Sequence, residues 1–317
     1  MQNWDAINAI IDESGAQSIE HIIHSLAQPA ISIEAKKTEK SAIPIATSKF
    51  GGDPDVPLDF QWPYAGNFAH SFIAQFELGA LQNFEAAKQL PSHGLLSFFY
   101  DCVNYPWGYD PADRHGWRVY NFGTNDLQRT PPPPPVDIGA LEEAAPRSRF
   151  SRAITSLFTA NLPRPPKLHR AQQFNVCRLS FNEWLTFPHW ESLPVEALSL
   201  PRNELDLYIK FDCAIAEKAS GSDHHLLGHP DPVQSDMQLE CQLAANGLSA
   251  GNNKSERSIQ GQALAPGAND WTLLFQCDYE ENTGWNWGDL GRLYFWINKK
   301  DLERQHFNNV WTVLQCT

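Results

Sequence analysis

The sequence predicts an α+β protein built mainly on antiparallel sheet, with short helices at its start and one β unit that occurs twice. Two runs near the N-terminus carry apolar residues at helical spacing, and several later apolar runs lie between glycine and proline turns. Three motifs also follow one another in the same order in both halves. The chain has 317 residues, of which 42% are hydrophobic, which is enough to bury a core.

The N-terminal segment is expected to form two helices and a strand. Apolar side chains share one helical face in residues 4–11, and Gly15 ends that helix. Ser18 caps a second run of the same spacing in residues 19–26. The alternation of apolar residues over 31–35 predicts a strand.

The later elements are mostly strands. Strands are predicted over residues 72–78, 95–100 and 116–122, because apolar and aromatic side chains are concentrated there between turn residues. Helices are predicted over 154–158 and 204–218. The glycine-rich, polar stretch 246–270 is expected to be a long loop.

The two halves share an ordered set of motifs. Each half contains a Gly-x-Pro turn, then an apolar strand ending in Gln-x-acid, then a Gly-x-Leu-x-Phe-aromatic strand. These motifs occupy residues 50–54, 72–77 and 94–99 in the first half, and 227–230, 273–278 and 291–296 in the second. Because three weak matches occur in one order, the sequence predicts duplication of an antiparallel unit.

The predicted organisation is one compact domain with four parts. Residues 1–47 form helices and a strand packed on the rest, 48–135 form the first sheet unit, 136–222 form a connecting α/β segment, and 223–317 form the second sheet unit.

Several short segments together carry a family resemblance. They are residues 48–54, 62–63, 75, 90–91, 94, 225–230, 233–234, 236–237, 241, 287–291 and 311–316. On these residues the chain resembles the bacterial YwqG-like family of unknown function. The resemblance implies a bacterial α+β protein of this repeated type, and it implies no reaction, substrate or catalytic residue. The sequence departs from the family in its polyproline run 131–135 and in the loop before Trp271.

The charge of the chain limits its partners. Lys plus Arg number 24 and Asp plus Glu number 37, which gives a net charge of -13. A chain this acidic is repelled by phosphate backbones, so nucleic acid is not expected as a partner. The charge is compatible with a protein partner, a basic one in particular, and equally with a role in solubility alone.

The sequence also predicts a location. No apolar run approaches the ~20 residues of a membrane helix, and Asp5 and Asp12 stand where a signal peptide would be apolar. The six cysteines never occur as C-x-x-C and are expected to be reduced. A cytoplasmic protein without a membrane partner is therefore predicted.

Two amide–carboxylate pairs are the first candidate ligand-binding residues. Gln75 and Glu77 are two positions apart on a strand and so share a face, as do Gln276 and Asp278. The two pairs could converge on a ligand between the repeats. The alternative, which we favour, is that each pair satisfies main-chain groups around its own turn.

The second candidate group surrounds His229. With His224 and His225 it suggests a metal cluster by composition, but Gly228 and Pro230 interrupt any helix that would align the rings. No metal site is therefore predicted, and His229 is retained as a candidate for ligand binding.

Trp287 and Asp289 form the third candidate, in an aromatic–acid loop before a strand. The loop could stack a sugar or a cation. The alternative is a turn in which Asp289 accepts main-chain N–H groups while Trp287 packs on the sheet.

No motif in the sequence points to a reaction class. Nucleophile elbow, zinc-protease, P-loop and dinucleotide-binding signatures are absent from the sequence. We therefore expect a binding or interaction protein that is not an enzyme, with a protein partner favoured and no cofactor. The alternative is a small-ligand sensor or an enzyme whose site lies between the two repeats.

Overall fold

The computed structural model describes residues 4–137, 168–169, 171–218, 224–251 and 253–317. In this part of the chain the α-helices are α1 (Trp4–Ser14), α2 (Glu20–Leu26), α3 (Leu193–Glu196), α4 (Arg202–Lys218), α5 (Gln238–Ala245), α6 (Asn253–Glu256), α7 (Ile259–Leu264) and α8 (Lys299–Glu303).

The strands of the described residues are mostly short. They are β1 (Gln28–Lys37), β2 (Lys49–Phe50), β3 (Asp55–Pro57), β4 (Tyr64–Ala65), β5 (Phe68–Ala69), β6 (Ser71–Glu77), β7 (Leu95–Tyr100), β8 (Trp117–Phe122), β9 (Leu127–Arg129), β10 (Val136–Asp137), β11 (Leu168–His169), β12 (Cys177–Thr186), β13 (His225–Leu226), β14 (Trp271–Cys277), β15 (Arg292–Asn298) and β16 (Trp311–Gln315).

The structure therefore has the α+β composition that the sequence predicts. The N-terminal helices are α1 and α2, the strand after them is β1, and the helix predicted over 204–218 is α4. The strands predicted over 72–78, 95–100 and 116–122 correspond to β6, β7 and β8. The helix predicted over 154–158 lies outside the described residues.

The prediction of a long loop over 246–270 is wrong, because α6, α7 and a 3₁₀ helix at Ala265–Asp270 form most of it. Ser258 is the N-cap of α7, and its Oγ accepts the N–H of Gly261 at 2.9 Å. Gln242 of α5 donates from Nε2 to the carbonyl of Leu264 at 3.2 Å. The N-cap and this contact stabilise helices that the polar composition of the segment does not predict.

One antiparallel sheet of ten strands organises the molecule. Its order is β16-β15-β14-β13-β1-β12-β2-β6-β7-β8, and its central pair, β1 and β12, is in register along ten residues. Each side of the pair continues with a two-residue strand and then three longer strands. The first motif-containing segment thus forms one side of the sheet and the second forms the other.

The sheet curls so that its two edge strands meet. The indole N–H of Trp117 on β8 donates to the carbonyl of Val310 at 2.8 Å. Its ring contacts that of Trp311 on β16 edge to face, with centroids 5.0 Å apart. An edge covered in this way cannot template pairing with another chain.

The interior of the curl is aromatic. Phe76 and Phe98 from one side of the sheet meet Phe275 and Phe295 from the other, with centroid distances from 4.9 Å to 5.1 Å across the core. A second core lies under α1, α2 and α4, and it includes Tyr208 and Phe211. Among the described residues no helix has the length and apolar character needed to span a membrane.

A buried ion cluster supports the first turn. Lys49 Nζ lies 3.2 Å from Asp55 Oδ1, and their side chains are 1% and 0% exposed. Arg129 donates from Nε to the same carboxylate at 2.8 Å and from Nη1 to the carbonyl of Ile43 at 2.9 Å. Burial lowers the pKa of Lys49 to about 8, although the charge of Asp55 opposes this effect.

The pKa of Asp55 is itself lowered. Burial would raise it, but the hydrogen bond from Arg129 and the charge of Lys49 outweigh the burial effect. The carboxylate is therefore the counter-charge that keeps two cations within this part of the fold.

Replacing Asp55 with alanine is expected to lower the free energy of unfolding by about 3–5 kcal/mol, because the buried Lys49 and the partly exposed Arg129 would lose their counter-charge. Urea unfolding followed by tryptophan fluorescence measures the loss. Asp53→Ala is the control, because Asp53 pairs at 3.1 Å with the exposed Lys40 and such pairs contribute at most about 1 kcal/mol. Equal losses in the two variants would contradict a stabilising role for the cluster.

Candidate functional site

The turn that follows β13 lies between two cavities. The backbone of Leu227 and Gly228 is left-handed, with φ of 62° and 72°. A Cβ at Gly228 would lie 2.4 Å from Thr186 Oγ1, so glycine is required there. The main-chain N–H of His229 donates to the same hydroxyl at 2.8 Å, and His225 Nε2 donates to the His229 carbonyl at 3.0 Å. The turn is held firmly, and the His229 side chain contributes to the walls of both cavities.

The first cavity has a volume of about 290 Å³. Its wall includes Trp271 and Trp296 of the sheet, Pro188 and Ser192 from the segment before α3, and His229. The volume lies near the lower end of the range for small-molecule sites, which are lined mainly by apolar side chains with a few polar groups.

Two buried polar atoms of this wall lack partners. Trp296 is 1% exposed and Ser192 is 7% exposed. Neither Trp296 Nε1 nor Ser192 Oγ has a hydrogen-bond partner among the described residues. Buried polar groups are normally paired, but both atoms are fully buried, so an occupant of the cavity reaches neither of them unless the wall moves.

His229 adds an acceptor. Its Nε2 lies 2.9 Å from the carbonyl oxygen of Leu26, which can only accept, so Nε2 carries the proton. Burial lowers the pKa of His229 to about 4, so the ring is neutral at pH 7. A neutral ring that is protonated on Nε2 has an unprotonated Nδ1, which accepts a hydrogen bond.

The charged groups of the cavity wall already contact the main chain. Asp236 accepts the N–H of Leu193 on Oδ2 at 2.9 Å and that of Met237 on Oδ1 at 2.8 Å. Lys299 donates from Nζ to the carbonyl of Asn269 at 2.8 Å. The wall therefore carries one carboxylate and one ammonium, each of which bonds to the main chain.

The second cavity, of about 240 Å³, lies on the other side of the turn and shares His189 and His229 with the first. His189 Nε2 is 3.8 Å from Asp212 Oδ2, which also accepts the N–H of Trp190 at 3.2 Å. Burial raises the pKa of Asp212, and the charge of His189 opposes this effect. Arg292 also lines this cavity.

Gln75 and Glu77 lie beneath the first turn, where they bond to the main chain. Gln75 is fully buried; its Oε1 accepts the N–H of Asp55 at 3.0 Å, and its Nε2 donates to the Thr47 carbonyl at 2.8 Å. The Glu77 carboxylate accepts the N–H of Gly79 at 2.9 Å. Gln75 thus bonds on both sides of the first turn, whereas the Glu77 carboxylate bonds to the segment that follows its own strand.

Gln276 and Asp278 occupy the corresponding places beneath the second turn. Gln276 Oε1 accepts the N–H of Asp231 at 2.9 Å. Asp278 Oδ2 lies 3.2 Å from Arg292 Nε, and Asp278 Oδ1 accepts the N–H of Tyr279 at 2.7 Å.

The structure does not bring the two pairs together. The rings of Phe76 and Phe275 meet inside the curl at 5.0 Å. Since neighbouring side chains on a strand point to opposite faces, Gln75 and Gln276 project outward from the curl. Each pair therefore lies next to its own turn and not at a common site.

Trp287 and Asp289 lie away from the cavities. Trp287 is 1% exposed and donates from Nε1 to the carbonyl of Asp278 at 3.1 Å. Asp289 is exposed, and its carbonyl accepts the N–H of Thr317 at 3.0 Å. Of the candidates from the sequence, His229 is the one that reaches the first cavity. The described residues contain no group of three or more His, Cys, Asp or Glu side chains able to hold a metal ion.

Ser192 and Trp296 were missed from the sequence. Trp296 lies in an apolar strand and Ser192 before a short helix, so each has an ordinary local role. The sequence signal that could have indicated a rigid cavity wall is the segment Pro188 to Pro194, because proline restricts the backbone.

A cavity of about 360 Å³ also lies beside the first turn, with Ser48 and the candidate residue Glu77 in its lining. Arg129 holds the segment next to it. Besides the ion pair with Asp55, the Arg129 guanidinium donates to the carbonyls of Lys40, Ile43 and Pro44 at 2.9–3.1 Å. These bonds join the segment after β1 to the turn. The corresponding flank of the second turn, beside the segment after β12, is where the other two cavities lie.

Asp278→Ala and Glu77→Ala are each expected to lower the free energy of unfolding by roughly 1–3 kcal/mol, because both carboxylates bond to main-chain N–H groups. Thermal melts measure the loss, with the exposed Asp289→Ala as control. Variants of Asp278 and Glu77 that melt at or above the wild-type temperature would contradict a structural role.

Glu240 is expected to make stability depend on pH. Burial, with the charges of Asp236 and Glu256, raises its pKa from 4.5 to about 8. The folded chain therefore holds a proton that the unfolded chain releases above pH 4.5, so wild-type stability falls as the pH rises towards 8. Glu240→Gln removes this effect.

The gain in melting temperature of Glu240→Gln over wild type should be absent near pH 4.5 and should grow until about pH 8. The exposed Glu303→Gln should show no such trend. A constant difference across this range would mean that Glu240 ionises normally.

Comparison with known proteins places the chain in a family. A search of curated proteins finds no match. The model of a family described as a domain of unknown function, DUF1963, matches residues 48–316. Because that match covers most of the chain, including the sheet on both sides of the central pair, the protein belongs to the DUF1963 family.

Proposed function

We propose that this protein is a non-enzymatic binding protein that holds a small molecule in the first cavity, beside His229. The observation that carries the proposal is the cavity of about 290 Å³ itself, which is lined by two indoles, four prolines and the neutral ring of His229. Rigid apolar side chains with a few polar groups among them are typical of small-molecule sites.

The arrangement of the cavities supports this location. Two cavities that share His189 and His229 flank the second turn, whereas one cavity, of about 360 Å³, lies beside the first turn. A small molecule is therefore better supported than the protein partner that the charge alone favours. The support for a protein partner is the net charge of -13 and the exposed Trp107, which stacks on Tyr109.

Binding is also better supported than catalysis. A general acid or base works best when its pKa lies near the working pH, and the pKa of His229 is about 4. Burial raises the pKa of Cys241 and of Cys277, so neither thiol is an activated nucleophile.

We also propose that the sheet arose by duplication of one unit, as the ordered motifs predict. The strand orders on the two sides of the central pair support this, as does a register shift one residue before Ala74 and one before Phe275. The main-chain N–H of Asp55 bonds to Gln75 and that of Asp231 to Gln276, which adds a third match.

The family resemblance and composition support two further proposals. One is that the protein belongs to the bacterial YwqG-like group within its family. The other is that it works in the cytoplasm, because the six cysteines are all unpaired in the structure.

Thr272 provides the test of small-molecule binding, because it lines the first cavity and is only partly buried. Thr272→Phe fills the cavity, while Thr272→Val keeps its shape. The dialysable small molecules of a cell lysate should raise the melting temperature of wild type and Thr272→Val, and should leave Thr272→Phe unchanged.

Both variants should unfold in urea near the wild-type midpoint, since phenylalanine and valine suit a strand. A melting temperature that rises equally in Thr272→Phe, or in none of the three proteins, would overturn the proposed site.

A further inference from the structure

Strand β12 has one edge that the large sheet leaves largely unused. On one side β12 pairs with β1 along ten residues, whereas on the other side it pairs with β2 at Cys177 and Arg178 alone. Among the described residues no strand lies beside the remaining edge, residues 179–185. The curl covers the two outer edges of the sheet, but this inner edge stays open.

Two hydrogen bonds show which groups the open edge presents. In an antiparallel pair, successive residues alternate between bonding to the partner strand and facing away from it. The N–H of Thr38 donates to the Val176 carbonyl at 3.1 Å, so that pair is bonded. The N–H of Ile33 donates to the His224 carbonyl at 2.8 Å, away from β12, so its pair with β12 is not bonded. By this alternation the odd-numbered residues of 179–185 direct N–H and carbonyl groups away from β1.

These main-chain groups have space beside them. In the described part of the chain, nothing bonds to the N–H or carbonyl of Leu179, Phe181 or Glu183 on this side. The cavity of about 360 Å³ beside the first turn is lined by Leu179 and Phe181, together with Ile43 and Pro44. The Glu183 side chain is exposed. An open strand edge next to an apolar cavity suits an added strand, because the edge supplies main-chain bonds and the cavity accepts alternate side chains.

The charges at this edge select the kind of strand. Residues 179–185 contain no proline, and their one charged side chain is that of Glu183. The lining of the cavity adds Glu77 and Arg178, so two carboxylates accompany one guanidinium. With a net charge of -13, two copies of the chain repel each other, whereas a basic segment is attracted.

We propose that the open edge of β12 pairs with an extended, basic segment of another protein, which runs antiparallel to β12. Apolar side chains of that segment lie beside Leu179 and Phe181, and a basic one lies beside Glu183. Each neighbouring pair in the large sheet is antiparallel, so this direction continues the pattern. The inference goes beyond the proposed function, because this cavity shares no lining residue with the one beside His229.

Amide hydrogen exchange of the full-length, ¹⁵N-labelled protein tests the edge directly. In the free protein the N–H groups of Leu179, Phe181 and Glu183 should exchange faster than those of Ser180 and Asn182, which bond to β1. The probe is the peptide acetyl-Lys-Thr-Val-Thr-Val-amide, whose lysine falls opposite Glu183 and whose valines fall opposite Phe181 and Leu179. At saturation it should slow exchange of the three odd-numbered amides by at least about tenfold.

Two variants of Glu183 separate main-chain pairing from charge. Glu183→Pro removes an N–H that faces away from β1, so the pairing of β12 with β1 is kept while the ring blocks an added strand. Glu183→Thr keeps the N–H and removes the charge. The proline variant should bind the peptide at least about tenfold more weakly than wild type, and the threonine variant about threefold more weakly. Both should unfold in urea near the wild-type midpoint, and the exchange pattern of wild type needs neither variant.

The results that would overturn the inference are distinct. Odd-numbered amides that exchange as slowly as their neighbours in the free protein would show that the edge is already covered. Protection that rises with protein concentration, without peptide, would assign the edge to a second copy of the chain. Unchanged exchange in the presence of peptide, or equal binding by Glu183→Pro and Glu183→Thr, would exclude strand addition. A peptide with glutamate in place of lysine that binds as tightly would exclude a basic partner. None of these results bears on the cavity beside His229.

Discussion

Strand β1 pairs with β12 along ten residues, from Gln28↔Thr186 to Lys37↔Cys177, and every other strand of the large sheet depends on that pair. The strands that continue the sheet on its two sides, β2 and β13, each join it through only two residue pairs. So few main-chain bonds would hold the outer strands weakly. Side-chain hydrogen bonds hold these strands in addition. The Thr186 hydroxyl, for example, donates to the Gln28 carbonyl at 3.0 Å and accepts from the main-chain N–H of His229.

The two buried glutamines have the same effect further from the centre. Gln75 and Gln276 lie on the first long strand of each side, and each accepts the N–H of an aspartate after the turn. A short strand and its turn are thereby fixed to the longer strand beside them. Beyond this shared scheme the sides differ in what surrounds the turn. Arg129 places a charge and several hydrogen bonds beside the first turn, whereas tryptophan, proline and histidine side chains line the cavities beside the second.

The features that could be predicted from the sequence are those that neighbouring residues determine. The apolar runs of β6, β7, β14 and β15 lie between turn residues, and the position of Gln75 relative to its turn matches that of Gln276. Strand β12 was missed although Cys177, Leu179 and Phe181 alternate, because its place in the sheet depends on partners far away in the chain. The cavity could not be predicted for the same reason: an indole N–H without an acceptor is a property of the surroundings of Trp296 and not of its strand.

The electrostatics of the molecule are consistent with an uncharged ligand. A net charge of -13 repels anions approaching the surface and attracts cations to it. The lining of the first cavity includes one carboxylate, Asp236, and one ammonium, Lys299, while His229 is neutral at pH 7. An anion would meet repulsion outside and a single ammonium inside, and a cation would bind as well to the many surface carboxylates as to the cavity. The net charge of the protein neither attracts nor repels an uncharged molecule. The hydrogen-bond donors and acceptors of the cavity wall therefore determine which uncharged molecule binds.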